Sequence, residues 1–118
     1  MRIDKDLVAA SATSLVLGIL AEGDSYGYAI LKRIREISGG RMTWTDGMLY
    51  PLLHRLERLG YVSATWGTSE HGRRRKHYAI TSSGRDVLAD RRQQWDVVAD
   101  ALDHVWPGSK RAVSPRFA

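Results

Sequence analysis

The sequence predicts a mostly α-helical protein with a small β-hairpin and a long C-terminal helix. Apolar residues recur at the helical period of 3.6 in three separate stretches before residue 60. Between residues 61 and 81 the period changes to two, which is typical of strands. A long helical pattern then runs over 81–106. We therefore expect three helices, a hairpin and a final helix, in that order.

Composition excludes several classes of protein. The 118 residues are enough for one domain, and the absence of cysteine excludes disulfides and thiolate metal sites. The four histidines lack a metal-ligand spacing, and no nucleophile–base pair or phosphate-binding glycine loop is present, so we expect no metal, no cofactor and no enzymatic activity. No apolar run approaches the ~20 residues of a membrane span, and the N-terminus is too acidic for a signal peptide. We expect a cytoplasmic protein without membrane contact.

The net charge of +5 is concentrated in the middle of the chain. Residues 26–80 carry ten basic and four acidic residues, whereas 1–25 and 81–106 are each net acidic. The segment 107–118 adds three more basic residues. This distribution is expected when one part of a fold faces phosphate groups and another part has a different task.

The first two helices carry the apolar stripes of a core. The apolar residues of Leu7–Glu22 recur at the helical period of 3.6 rather than at every second position. A second helix is expected over Tyr26–Ser38, with Asp24 and Ser25 as its capping residues. The short stretch Arg41–Trp44 is β-capable, so we predict one brief strand there.

The third helix, Thr45–Gly60, has an outer face that suits nucleic acid. Its leucines fall on one side, and polar, aromatic and basic residues fall on the other. Pro51 lies inside this helix, where it removes a backbone hydrogen bond and should bend the axis. Thr45 or Asp46 can cap its start, and Gly60 can end it. The predicted DNA contacts on this helix are Thr45, Gly47, Tyr50, His54, Arg55 and Arg58.

A hairpin follows, with strands expected over 61–67 and 76–81. In the first strand Trp66 shares the inner side with Val62 and Ala64. Three helices followed by a hairpin is the winged helix-turn-helix arrangement, in which the third helix enters the major groove of DNA and the hairpin, or wing, flanks it. A charge run is usually a solvated turn, but beside such a helix we favour phosphate contact. The predicted wing contacts are Arg73, Arg74, Arg75 and Lys76.

The long helix has the spacing of a coiled-coil seam, which favours a homodimer. Large apolar residues recur every seven positions, with valines between them, and the first helix of the partner copy is expected alongside. The chain thus divides into a DNA-binding domain at 1–80, a dimerisation helix at 81–106 and a flexible basic tail at 107–118. The predicted dimerisation residues are Leu88, Trp95, Val98, Leu102 and Val105.

Four segments resemble the PadR family of transcriptional regulators: GDSYGYAI at 23–30, GMLYPLLHRLERLGYV at 47–62, GRRRKHYAIT at 72–81 and SGR at 83–85. The single C-terminal helix resembles the short branch of the family, whose multidrug-sensing members stack flat aromatic drugs between one tryptophan from each subunit. Trp95 matches that tryptophan. The resemblance implies a dimeric repressor that leaves a palindromic DNA operator when a planar aromatic small molecule binds.

The resemblance also implies where such a ligand would bind. The expected site comprises Trp95, Leu7, Ala10, Ser11, Ser14 and Ala99. Drug-sensing relatives can place an acid where this chain has Ala99, so a neutral or anionic aromatic ligand is as open as a cationic one. A tryptophan pair also stabilises a dimer without any ligand. We expect the other tryptophans, Trp44, Trp66 and Trp106, in the core or an interface. A winged-helix regulator without an inducer and a protein-binding winged helix remain alternatives.

Overall fold

The computed structural model describes residues 1–108. The elements are α1 (Lys5–Glu22), β1 (Ser25–Tyr26), α2 (Gly27–Ile37), α3 (Asp46–Arg58), β2 (Val62–Thr68), β3 (Arg74–Ile80) and α4 (Ser82–Val105). This is the predicted class, mostly helical with a hairpin and a long last helix. The strands form one antiparallel sheet in the order β1-β3-β2. Within the described residues, no helix is both long and apolar enough to cross a membrane.

One apolar core lies between α1, α2, α3 and the base of the hairpin. The predicted inward side of α3 is confirmed, because its leucines at 49, 53 and 56 are fully buried. Burying each such side chain contributes about 1.5–3 kcal/mol relative to leaving it exposed. The buried apolar residues are Val16, Leu17, Ile19, Leu20, Ile30, Ile34, Trp44, Leu49, Leu53, Leu56, Val62 and Tyr78.

The sheet has a third strand that the sequence did not predict. Ser25 and Tyr26 pair with Tyr78 and His77 of β3. The predicted capping of the second helix by Asp24 and Ser25 is therefore wrong, since Tyr26 occupies the N-cap position and Ser25 lies in β1. These two residues form a strand only because they pair with β3, which lies far from them in the sequence, so no local pattern predicts it.

The strand predicted for Arg41–Trp44 is also wrong. This segment is irregular, and the backbone N–H of Met42 donates to the hydroxyl of Ser38 rather than to a neighbouring strand. Trp44 is 6% exposed, which confirms its expected place in the core. Trp66 lies outside the core of its chain, because it is 61% exposed.

The turn after α3 joins the end of α3 to the start of α4. Gly60 has a φ of +80°, and the N–H groups of Gly60 and Tyr61 donate to the carbonyls of Glu57 and Leu56, which is a Schellman motif. The hydroxyl of Thr81 donates to the carbonyl of Gly60 and accepts from the N–H of Gly84. The end of α3 is thereby fixed to the start of α4.

The helix α4 packs its first part on the core and then continues along α1. Leu88 packs against the core of its own chain. Farther along, several apolar side chains remain exposed: Trp95, Val97, Val98, Val105 and Trp106. Pro107 and Gly108 form a turn, and the rest of the predicted flexible tail lies outside the described residues.

Candidate nucleic-acid interface

A concave surface lies between α3 and the hairpin, and we call it the α3–wing cleft. It has a volume of about 630 Å³ and is lined by residues from α3, the sheet and the start of α2. None of the lining residues is acidic, whereas four are lysine or arginine. The lining residues are Tyr26, Gly27, Tyr28, Tyr50, His54, Trp66, Arg73, Arg74, Arg75, Lys76 and Tyr78.

The α3 side of the cleft consists of Tyr50 and His54. They lie one helical turn apart, both are exposed, and their ring centroids are 6.5 Å apart. The hydroxyl of Tyr50 lies against Gly27, and a Cβ at that glycine would overlap it. Gly27 therefore leaves the space that the Tyr50 side chain occupies, and any larger residue at position 27 would displace that side chain.

The wing side of the cleft consists of arginines stacked on aromatic rings. The Arg74 guanidinium lies 4.9 Å from the ring centroid of Trp66, and that of Arg75 lies 3.9 Å from the ring of Tyr26. Such stacking holds a planar guanidinium while leaving its N–H edges available to bind phosphate. Arg73 is exposed in the loop before β3.

Lys76 differs from the three arginines because it has an acidic partner. Its ammonium donates to a carboxylate oxygen of Glu57 at 3.2 Å and lies 5.4 Å from the ring centroid of Tyr78. The bond to Glu57 raises the pKa of Lys76, so the side chain stays protonated. Burial raises the pKa of Tyr78, which stays neutral. Lys76 thus links the hairpin to α3.

The structure brings together six of the ten residues predicted to contact DNA. Tyr50, His54 and the four bases of the wing share the α3–wing cleft. Thr45, Gly47 and Arg58 are exposed near the two ends of α3, and Arg55 lines a separate groove. Five further lining residues were not among the predicted DNA contacts. They are Tyr26, Gly27, Tyr28, Trp66 and Tyr78.

The residues predicted to bind a ligand lie along α1 and α4. The indole Nε1 of Trp95 donates to the hydroxyl of Ser14 at 3.2 Å, so these two residues meet within one chain. The hydroxyl of Ser11 donates to the carbonyl of Leu7. Ala10 is exposed, and Ala99 is half-buried on α4. Among the described residues, no cluster of histidine and acidic side chains could hold a metal.

The three helices, the wing and the long last helix define the winged helix-turn-helix class. The sequence model of the transcriptional regulator PadR-like family matches residues 16–90, which is more than half of the chain. The protein belongs to this family of transcriptional regulators, which are not enzymes.

Relatives of known structure have the same fold. A transcriptional regulator from Clostridium thermocellum superposes with a TM-score of 0.78 at 30% identity, covering 86% of this chain and 98% of that chain. A PadR family transcriptional regulator from Eggerthella lenta gives 0.75 at 30% identity, covering 88% of each chain. The transcriptional regulator YqjI of Escherichia coli is 27% identical over 103 residues, or 87% of this chain. The chain spans only 48% of YqjI.

Proposed function

We propose that this protein is a DNA-binding repressor that acts as a homodimer on a two-fold symmetric operator. The observation that carries the proposal is the α3–wing cleft, where the exposed rings of α3 and the arginines of the wing face one acid-free surface. A duplex presents base edges in its major groove and phosphates along the groove walls. The two sides of the cleft match these two features.

Each side of the cleft has its own task in this proposal. Tyr50 and His54 contact base edges, because they project from the helix that enters the major groove. The wing arginines Arg73–Arg75 contact phosphates, which adds affinity without selecting sequence. Lys76 acts as a positioning residue, since its ammonium is paired with Glu57. The remaining contacts lie on α3 or at its N-cap and are all exposed: Thr45, Gly47, Arg55 and Arg58.

The proposed dimer rests on the exposed apolar residues of α4. Val98 is 48% exposed and Val105 is 70% exposed, so their stripe has no cover within the described chain. A second copy covers this stripe, with Trp95 and Leu102 beside it, and places two α3 helices in successive major grooves about 34 Å apart. Leu88 offers the partner only part of its side chain, because it is partly buried against the core of its own chain.

Selection of binding sites from random duplex DNA tests the proposal. We expect an enriched sequence with two-fold symmetry and half-sites about one helical turn apart. The double variant Tyr50→Ala, His54→Ala should lose this preference and keep non-specific binding at low salt, since the wing remains. Absence of any DNA binding at low salt would reject the proposal and favour a protein-binding winged helix.

Gly27→Ala should weaken operator binding through Tyr50. The added methyl overlaps the hydroxyl and the adjoining ring carbon of Tyr50, an exposed side chain that can rotate, so we expect Tyr50 to move with a loss of stability of about 1 kcal/mol, the low end of overpacking effects. We expect a roughly tenfold loss of operator affinity, which corresponds to about 1.4 kcal/mol. Fluorescence anisotropy with labelled operator DNA measures the change in affinity.

The matched control places the same change in a Tyr50→Ala background. If Gly27 acts by positioning Tyr50, Gly27→Ala should have little further effect there, because the effects of contacting residues are not additive. Equal losses in both backgrounds would contradict this role.

We also propose that an aromatic small molecule binds beside Trp95 in the dimer and releases DNA. Two observations favour this effector site. Trp95 remains 37% exposed, and the neighbouring residues of α1, Ala10, Ser11 and Ser14, are small. A ligand there acts only if it binds more tightly to a dimer spacing that does not match the half-sites.

Trp95→Ala should abolish ligand-dependent quenching of tryptophan fluorescence and leave operator binding intact at protein concentrations that keep the variant dimeric. The probes are 9-aminoacridine, a planar aromatic cation, and naphthalene-2-carboxamide, a neutral aromatic. The matched control is Trp106→Ala, which removes an exposed tryptophan of the same region and should preserve quenching. Unchanged quenching in Trp95→Ala would reject the site.

A further inference from the structure

The ion pair between Lys76 and Glu57 joins the wing to α3 at the edge of the α3–wing cleft. Lys76 lines the cleft, whereas Glu57 is not among the residues that line it. The Lys76 ammonium donates to a carboxylate oxygen of Glu57 at 3.2 Å. Lys76 therefore lies between the surface that faces a duplex and a carboxylate outside that surface.

The surroundings of the Lys76 ammonium strengthen its bond to Glu57. The ammonium lies 5.4 Å from the ring centroid of the buried Tyr78, and the paired side chains of Lys76 and Glu57 are 26% and 38% exposed. Salt screens a partly buried pair less than it screens a fully exposed one. The positive charge of Lys76 is thus largely compensated before DNA arrives.

The wing arginines differ from Lys76 in this respect. Within residues 1–108, none of the three forms an ion pair with an acid. Arg74 and Arg75 stack on the rings of Trp66 and Tyr26, which orients their guanidinium groups without compensating their charge. Of the four consecutive basic residues of the wing, Lys76 is the one whose charge is withheld from the cleft.

We infer that Glu57 is a specificity-determining residue, because it retains Lys76 and so limits the phosphate contacts of the wing to its three arginines. This inference rests on the proposed DNA-binding function. A phosphate contact adds affinity for every sequence, so a fourth contact would strengthen binding to all other duplexes along with the operator. Retention of Lys76 by Glu57 removes this sequence-independent share of the affinity.

The same ion pair also holds the wing in one position relative to α3. In the operator complex, the base contacts of α3 and the phosphate contacts of the wing must form together, which requires a fixed spacing between the two elements. A wing that is released from α3 can still reach the phosphates of any duplex. Loss of Glu57 therefore favours non-specific complexes more than the operator complex.

Glu57→Gln in the full chain tests the inference. Glutamine preserves the size of the side chain and removes its charge, so Lys76 becomes free to bind a phosphate. We expect the affinity for a random-sequence duplex to rise roughly three- to tenfold at low salt, and the slope of log K against log salt to steepen by about 0.9. The affinity for the selected operator should rise less, so the ratio of the two affinities falls. Anisotropy titrations over a salt series measure both effects.

The effect of Glu57→Gln must depend on Lys76. In a Lys76→Gln background, Glu57→Gln should leave the salt slope unchanged, because no ammonium is released. A distorted wing would make fewer phosphate contacts and lower the slope, so a steeper slope separates the proposed role from structural damage. Glu57→Asp keeps the charge and should retain most of the discrimination.

Glu22→Gln is the matched control. It removes the same charge and also breaks an ion pair, the one with Arg33 at 2.8 Å. Neither Glu22 nor Arg33 lines the α3–wing cleft. The control should leave both the salt slope and the ratio of operator to non-specific affinity unchanged.

The pairing of Lys76 is tested without DNA. Acetylation with acetic anhydride, followed by mass spectrometry, compares the amine of Lys76 with that of the exposed Lys32. The bond to Glu57 raises the pKa of Lys76, so less of its amine is deprotonated and reactive. Lys76 should therefore react more slowly than Lys32, and Glu57→Gln should remove most of this difference.

Four results would overturn the inference. They are equal acetylation rates of Lys76 and Lys32 in the unchanged protein, an unchanged salt slope in Glu57→Gln, an equal increase in Glu22→Gln, and a changed base preference in Glu57→Gln. The last result would mean that Glu57 reads a base directly. Each of the four leaves the DNA-binding proposal standing. If the unchanged protein binds no duplex at low salt, the proposed function fails, and the inference fails with it.

Discussion

Gly84→Ala is expected to lower the free energy of unfolding by about 3 kcal/mol, at the upper end of overpacking effects. Gly84 is buried at the start of α4, and an added Cβ would overlap the carbonyl oxygen of Tyr61 and lie 2.9 Å from a side-chain carbon of Ile80. The atom nearest to the added Cβ is the backbone carbonyl oxygen of Tyr61, which cannot rotate aside as a side chain can, so α4 must move away from it. That movement breaks the bond from the N–H of Gly84 to Thr81. Chemical denaturation at a fixed protein concentration measures the loss.

Gly18→Ala is the matched control and should have the opposite sign. Gly18 lies in the interior of α1, and within residues 1–108 nothing beyond its own helix backbone and its chain neighbours lies within 4 Å of a Cβ added there. Alanine in a helix interior is favoured over glycine by roughly 0.5–1 kcal/mol. A similar loss for both variants, or no loss for Gly84→Ala, would show that the contact with Tyr61 does not constrain α4.

Replacing Arg73, Arg74 and Arg75 together by glutamine is expected to lower the affinity for duplex DNA by roughly 100-fold or more at low salt. Each arginine that neutralises a phosphate releases condensed counterions, and losing three such contacts should reduce the slope of log K against log salt by about 2–3. The preferred sequence should stay the same, because phosphate contacts carry little sequence information. Anisotropy titrations over a salt series measure both quantities.

A second triple variant, Arg35→Gln, Arg91→Gln, Arg92→Gln, controls for net charge. It removes the same charge from residues outside the α3–wing cleft. It should therefore leave the salt slope close to that of the unchanged protein. If both triple variants lower the slope equally, the wing acts only through overall charge, and the assignment of phosphate contacts to it fails.

The sequence predicted the elements whose pattern is local and repeated. The leucines of the α3 segment recur at helical spacing, and those at 49, 53 and 56 are buried as that spacing requires, whereas Leu59, also predicted to face inward, follows the last residue of the helix and is 51% exposed. The C-terminal end of α3 was also predictable, since Gly60 adopts the positive φ that glycine favours. At the other end Thr45 occupies the N-cap position as predicted, but its side chain makes no capping hydrogen bond. The alternation of β2 was informative as far as Ala64. Beyond that residue the hairpin extends past the helices, so Trp66 carries the Arg74 guanidinium on its ring and lies outside the core that was one of its two expected places.

The candidate site was predictable in part for the same reason. Tyr50, His54 and the wing arginines could be singled out because they lie opposite an apolar side or in a charge run. Tyr26 and Gly27 could not, since their role depends on contacts with Arg75 and Tyr50 across the fold. Lys76 looked like its neighbours in sequence, and only the fold brings Glu57 to it.

The sequence by itself determined the order of helices and hairpin, the buried side of the first three helices and the basic segment that faces away from the core. These follow from periodicity and charge, which depend on neighbours one or two turns apart. The tertiary structure alone decided the third strand, the position of Tyr50 against Gly27 and the pairing of Lys76 with Glu57. These depend on residues far apart in the chain, which come together only when burial of the core fixes the packing of the helices.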